Sequence, residues 1–276
     1  LRMVHAGSNY AKASNGVPEN EGSNGIVEPA IIAEYFAEHF SKICTGSSDT
    51  RAAQLKSEYE TLRTNYAGWP DLEEHKIDAG LVESVINSMS RGKAAGLDSI
   101  TAEHLQYCHS LLPCILSKLF NLLITVGHIP NDFCKSYTVP LLKGNCSIYC
   151  KTVSTNDFRG ISISHVLSKV FEHCILQRYS NVLVSSDNQF GFKKKSGCVH
   201  AIYTLKCIID YYVSNNSTVN LCALDLSKAF DKMNHHALLV KLMKKHLPAS
   251  ILRILEIWIE ASITCVKWGN CFVRMF

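Results

Sequence analysis

Residues 219–235 read V-N-L-C-A-L-D-L-S-K-A-F-D-K-M-N-H. An apolar run leads to one carboxylate, Asp225; a small-residue turn follows, then an aromatic at Phe230 and a second acid at Asp231. Period-2 alternation predicts a strand over 219–225, with Val219, Leu221, Ala223 and Asp225 on one face. Three apolar side chains anchor that face and the acid ends it at the rim. A carboxylate at the exit of a buried strand is costly unless something positive meets it, and a divalent cation is the usual partner. Such an acid suits phosphoryl transfer in which two cations about 3.5–4 Å apart clamp the attacking and leaving oxygens. Mg²⁺ is the natural choice, because it favours carboxylate and phosphate oxygens. Asp231 lies past a turn and need not face the same way. Its spacing leaves two readings open, a second ligand as in a two-metal nuclease or a helix N-cap.

The bulk composition narrows the class. With 276 residues, 47% hydrophobic and 19% charged, the chain has enough apolar content for one large core or two modest ones and is not disordered. Charge is unevenly spread. Residues 1–90 carry 7 Lys/Arg against 13 Asp/Glu, whereas residues 189–276 carry 12 against 5. The basic second half suits a polyanionic partner, although an ordinary solvated surface would look the same. Twelve cysteines in so long a chain do not require a disulfide scaffold, and residues 1–10 show no signal-peptide pattern, so a reducing, intracellular setting is expected. Cys146-x-x-x-Cys150 has no second pair in register, so structural zinc is not expected. The longest apolar stretch, 111–129, is broken by Pro113, Lys118 and Asn121 and reads as a core helix, with no membrane span. Leu1 opens the chain in mid-sequence character, and both ends read as cuts.

Local signals place the elements. Residues 1–25 are Gly-, Ser- and Asn-rich and read as a loose lead-in. Pro29 opens a helix with Ile31, Ile32, Tyr35, Phe36, Phe40 and Ile43 as its apolar face, and 44–76 reads as a polar linker with some helix. Asp78 is the expected N-cap of a helix that buries Leu81, Val82, Val85, Ile86 and Met89. Thr101 caps another, and the helix over 111–126 stops at Gly127 with Pro130 beyond. A strand is expected at 136–142, helices at 164–179, 198–213, 235–246 and 248–262, and a final hairpin at 264–268 and 271–276 turned at Gly269-Asn270.

The block A-L-D-L-S-K-A-F-D-K-M-N-H resembles the first catalytic motif of reverse transcriptases, in the form used by non-LTR (LINE-like) retrotransposons. The resemblance implies that Asp225 binds both catalytic metals and that Phe230 is the gate stacking under the sugar. A bulky ring there rejects a 2′-hydroxyl by collision. Leu226 is assigned with Phe230 to the nucleotide pocket, and Asp231 looks like the family's structural acid. Further matches follow in the right order. G-K-A-A-G-L-D-S-I at 92–100 resembles the motif ahead of the fingers that contacts template RNA, which brings Lys93 to nucleic acid. Residues 129–144 resemble the first fingers motif and include Lys143. N-D-F-R-G-I-S-I at 156–163 resembles the second, whose arginine, here Arg159, grips the incoming triphosphate. D-N-Q-F-G-F-K-K-K-S-G-C at 187–198 resembles the family's Q-F-G-F-R-x-G-R-S-T segment, with Lys193 replacing the usual arginine and 195–197 departing from the G-R-S order. Lys193, Lys194 and Lys195 keep the positive charge for backbone contact. Residues 26–45 resemble, more weakly, the helix joining endonuclease and polymerase regions. C-V-K-W-G-N at 265–270 looks like the hairpin before the second palm motif. Read alone, residues 92–100 are a glycine-rich turn, Lys143 and Arg159 are surface ion-pair partners, and 193–195 is a solvated loop anchored by Phe190 and Phe192.

The resemblance implies an α+β fold: helix-rich fingers and a partial palm of a right-hand polymerase, with a small antiparallel sheet. It divides the chain into a linker and helical segment at 1–75, fingers at 76–218 and partial palm at 219–276. The implied partners are an RNA template, a DNA primer and deoxynucleoside triphosphates, and the implied cofactor is a pair of Mg²⁺ ions in the intact enzyme. Neither the glycine-rich S-G-x-x-Q-G segment nor the aromatic-x-Asp-Asp turn of the family occurs in the sequence. The metal set is thus incomplete, and the isolated chain is expected not to polymerise DNA and to leave a sheet edge open. The alternative is an RNA-binding protein derived from a reverse transcriptase that kept the fingers and lost catalysis. A group II intron maturase fits the K-A-F-D-K-M-N-H wording and the 92–100 loop less well.

Overall fold

The computed structural model describes residues 28–44, 50–143, 154–193, 195–226 and 228–276. The lead-in expected at 1–25, the Cys146/Cys150 spacing and Lys194 lie outside them. Two compact units emerge: one holds the chain up to Val182 together with Asp231–Phe276, and the other is Leu183–Phe230. The first helix packs into the same core as the last two strands.

The first unit is a mixture of helices and a four-stranded sheet. Its helices include α1 (Pro29–Cys44), α2 (Thr50–Thr64), α3 (Ala79–Ser88), α4 (Ala102–Gln106), α5 (Leu112–Val126) and α6 (Val166–Arg178), with two more from the C-terminal stretch. The strands are β1 (Lys135–Leu142), β2 (Phe158–Ser164), β3 (Ile263–Trp268) and β4 (Cys271–Met275), in the order β2-β1-β3-β4. The β1–β2 and β3–β4 pairs are antiparallel, but β1 and β3 are parallel, with Tyr137 opposite Cys265. The sheet is therefore mixed, a correction to the antiparallel expectation. β3 and β4 are joined by the two-residue turn Gly269-Asn270 and pair antiparallel, whereas β1 and β3 are separated by more than a hundred residues of chain, a crossover that lets them run the same way.

Helix α1 covers one sheet face. Ile32, Ala33, Phe36, Ala37 and Phe40 are buried with Phe158 and Val266. The Phe36 ring stacks on Trp268 at 5.4 Å and meets Phe158 edge-on at 4.9 Å. Gly160 permits this approach: a Cβ there would sit 2.9 Å from Thr138 Cγ2 and 3.2 Å from the Phe40 ring. The buried stripe is rotated from the expected one, since Ile31 and Tyr35 are exposed and the small Ala33 and Ala37 are inside. Small residues let the helix lie close to the sheet, which bulky ones would hold off. Buried Thr138 is satisfied by the Ser162 hydroxyl at 2.8 Å and that of Thr264 at 2.9 Å, a hydroxyl row across three strands.

The segment expected as a linker holds α2, and this helix is docked. Tyr59 donates to Glu256 at 2.9 Å, Arg63 pairs with the same carboxylate at 2.8 Å, and Lys244 pairs with Glu58 at 2.7 Å. Glu256 lies on α9 (Ala249–Ala261) and Lys244 on α8 (His235–Lys244). A second core lies under α3, α5, α6 and α9, where Phe171 meets Phe120 at 4.9 Å and stacks on Trp258 at 5.6 Å. Asn121 ties α5 to the start of α3: its amide oxygen accepts from Ile77 N–H at 3.0 Å and its amide nitrogen donates to the Ile77 carbonyl at 2.7 Å. The expected stop at Gly127 is a left-handed C-cap with φ 67°. Asp78 caps α3 by accepting from Leu81 N–H at 2.8 Å, and Arg178 pairs with its carboxylate. Among the described residues no helix is long and apolar enough to cross a membrane.

Truncating Phe36→Ala is expected to cost about 3–5 kcal/mol in urea denaturation, against near-neutrality if α1 were a linker. Asp78→Ala should cost about 1 kcal/mol at neutral pH. The Leu81 N–H, and then Arg178, hold the Asp78 carboxyl below its ordinary range. Its contribution is therefore present above about pH 4 and fades as pH falls through the lowered folded value, so melting curves of the two proteins should converge in acid.

Candidate active site

The β1–β2 hairpin positions two of the expected cations. Leu141 is opposite Arg159 in the ladder, and Lys143 N–H donates to the Asp157 carbonyl at 2.9 Å just beyond it. The Lys143 ammonium folds back onto the Asn156 carbonyl, while Arg159 is exposed and has no ion pair among the described residues. Strand alternation puts Arg159 on the same face as Ile161 and Ile163, opposite α1.

The glycine loop at 92–100 lies against that face. Leu97 packs on Tyr137, Val139, Ile163 and Cys265, and the Tyr137 hydroxyl donates to the Ala95 carbonyl at 2.8 Å. Gly96 is required by close approach, since a Cβ would lie 2.8 Å from the His165 Cα. The near end of the loop is fastened by Arg91 to Gln106 at 2.9 Å, and by Glu103, which accepts from Gly92 N–H. Gln106 in turn donates to the Ile86 and Met89 carbonyls at the end of α3. Lys93 is thus presented on a braced loop. Lys267, which the sequence reading did not single out, sits on this face too, 5.3 Å from the Tyr137 ring and 4.9 Å from that of Phe272. Its place could have been read from alternation along the last hairpin, had the parallel pairing with β1 been known.

The second unit holds the acid. Residues 219–226 form no strand, a correction to the expectation that opened this reading. Asp225 is exposed, and Leu224 and Leu226 keep 91% and 78% of their surface in contact with solvent. The alternation is present in the sequence, but no described strand pairs with the segment, and an unpaired extended chain is not a sheet. Phe230 is exposed as well, and its ring meets Phe192 edge-on at 5.6 Å. That contact brings the Q-F-G-F segment and the Asp225 block together, which spacing alone did not suggest. Lys193 is engaged within its own loop, donating to the Ser186 carbonyl at 2.7 Å and facing Asp187 at 3.8 Å. Lys195 is exposed, with φ 61°. The helix α7 (Cys198–Ser214) forms as expected, with none of its residues buried.

Asp231 belongs to the first unit. The cap of α8 is Asn234, accepting from Ala237 N–H at 2.9 Å, so the N-cap reading of Asp231 is replaced. No cluster of three or more His, Cys, Asp or Glu able to hold a metal occurs among the described residues. A lone exposed Asp225 does not fit a two-metal centre by itself.

The family model described as reverse transcriptase (RNA-dependent DNA polymerase) matches residues 143–274, a stretch that runs from Lys143 through Arg159 and Asp225 to the last hairpin. Over this stretch the chain is similar to reverse transcriptases, and its similar proteins are polymerases of transposable elements. Among similar proteins of Drosophila melanogaster, the probable RNA-directed DNA polymerase from transposon BS is 23% identical over 87% of this chain and 26% of its own length. That from transposon X-element is 24% identical over the same shares, 87% and 26%. The Pol polyprotein of the type-2 retrotransposable element R2DM is 23% identical over 78% of this chain and 18% of its own length. The chain therefore spans about a quarter, or less, of the length of the relatives it matches. Reverse transcriptases generally use divalent metal ions.

Replacing Gly96→Ala should force the loop off His165 and cost about 1–3 kcal/mol, read as a lower denaturation midpoint. An unchanged midpoint would mean that the loop does not depend on this approach.

Proposed function

We propose that this chain supplies the fingers, residues 76–218, and the first part of the palm, residues 219–276, of a right-hand polymerase that copies RNA into DNA. Residues 1–75 lead into it. The observation that carries the reading is the family match over 143–274, which contains Lys143, Arg159, Asp225 and Phe230 in the family's order. The proposed substrates are an RNA template, a DNA primer and deoxynucleoside triphosphates. Magnesium is the proposed metal, and Asp225 contributes one carboxylate to it. The rest of the ligand set, the aromatic-x-Asp-Asp turn, is not among these 276 residues.

The roles proposed for the chain's own side chains are binding and selection. Arg159 offers a guanidinium fork to the triphosphate, and its exposure without an internal carboxylate partner supports that use. Lys143 gives a second positive charge at the same hairpin end. Phe230, flanked by Phe192 and with Leu226 nearby in sequence, is the proposed wall against a 2′-hydroxyl. Lys93, Lys193, Lys194 and Lys195 are proposed contacts to nucleic-acid backbone.

Primer extension tests this. The 276-residue chain with Mg²⁺ or Mn²⁺ is expected to incorporate no deoxynucleotide; incorporation abolished by Asp225→Ala would contradict the incomplete ligand set. Joined to the palm continuation of the transposon BS polymerase, the chain should extend a primer. In that chimera Asp225→Ala should stop extension, and Phe230→Ala should raise ribonucleotide use by about tenfold or more. An unaltered sugar preference would remove Phe230 from the gate.

A further inference from the structure

Between the glycine loop and the start of α6 lies a small cleft with about 20 Å³ of space, lined among others by Lys93, Lys169, Ser90, Thr101, Ser164 and Val166. Two lysines from different elements, Lys93 on the braced loop and Lys169 in the first turn of α6, line the same opening. Neither ammonium has a hydrogen bond or ion pair with a described residue. Lys169 is half-buried, and that burial pushes its ammonium down from its ordinary range, with Glu172 and Asp98 offsetting part of the effect. A half-desolvated cation without a hydrogen-bond partner is unfavourable. Its position adds to the penalty, because a positive charge in the first turn of a helix opposes the helix dipole. Helix formation does not account for a lysine there, and Glu172 and Asp98 offset its burial only in part. A bound anion would account for both lysines.

The size of the opening selects the anion. The opening is small, with about 20 Å³ for water-sized groups, a size that suits the non-bridging oxygens of a phosphodiester. We propose that Lys93 and Lys169 form a two-lysine phosphate clamp on the backbone of a single nucleic-acid strand, extending the strand's contact from the glycine loop onto α6. This rests on the nucleic-acid reading above and adds a residue and an element to it. An ammonium meets phosphate as a point charge, so the clamp holds the strand in place without reading its sequence.

The test is fluorescence anisotropy of the full chain with a single-stranded RNA oligonucleotide over a series of KCl concentrations. The parent chain is expected to bind with log K falling linearly in log salt. Lys93→Met and Lys169→Met should each flatten the slope by about 0.7, the value of one phosphate contact on a single strand. Lys169→Arg should restore the parent slope, and Lys56→Met on α2 should leave it unchanged. Lys169→Met should melt no lower than the parent, since it removes a desolvated charge, which separates lost binding from lost folding. Run with dATP in place of RNA, the titration should show no Lys169-dependent binding. A parent that binds RNA while Lys169→Met keeps its slope overturns the clamp alone. A parent that binds no RNA overturns the nucleic-acid reading and the clamp with it, and Lys169-dependent binding of dATP without RNA binding overturns the strand assignment.

Discussion

The Phe36 ring, stacked on Trp268 and set edge-on to Phe158, joins the two hairpins of the sheet across β1. Phe158 belongs to β2 and Trp268 to β3, so one helical side chain spans strands that are far apart in the chain. With α1 covering this face, the opposite face of the sheet is left to receive the glycine loop and to display Arg159 and Lys267. Gly160 and the alanines of α1 are small for the same reason, since anything larger would lift the helix and open the core.

The two faces consequently differ in chemistry. On the α1 side, aromatic rings and a row of satisfied hydroxyls make a dry interior. On the other side, Tyr137 and Phe272 form a shallow apolar floor under Lys267, and Tyr137 also holds the loop through the Ala95 carbonyl. Cations held over rings and on braced loops give up less side-chain freedom on meeting a phosphate than cations on loose chain. The second unit is built differently. Its helix α7 buries no residue and its acid lies outside any strand, and the described contacts there include the edge-on rings of Phe192 and Phe230 and the local bonds of Lys193.

Much of the local structure was legible in the sequence. Asp78 as a cap, Gly127 as a stop, the helix that became α6 and the final hairpin turned at Gly269-Asn270 all depend on residues within a turn or two of one another. The failures share a physical origin. Alternation over 219–225 signals a strand only if a neighbour is there to accept its hydrogen bonds, and none of the described strands does. For α1, apolarity counted Ile31 and Tyr35 as buried, whereas the sheet's shape favoured the small Ala33 and Ala37. Asp231 lost the cap to Asn234, whose side chain reaches the N–H three residues on.

The sequence by itself carried the resemblance to reverse transcriptases, through the ordered motifs from residue 92 to residue 270, and the positions of caps, stops and turns. These are short-range properties, set by side-chain chemistry against nearby backbone. The tertiary structure alone decided that β1 and β3 run parallel, that α1 is core, and that Lys93 and Lys169 share a cleft. Each of those depends on surfaces meeting across tens to hundreds of residues. Such meetings are selected by packing volume and hydrogen-bond satisfaction in three dimensions, which no local pattern encodes.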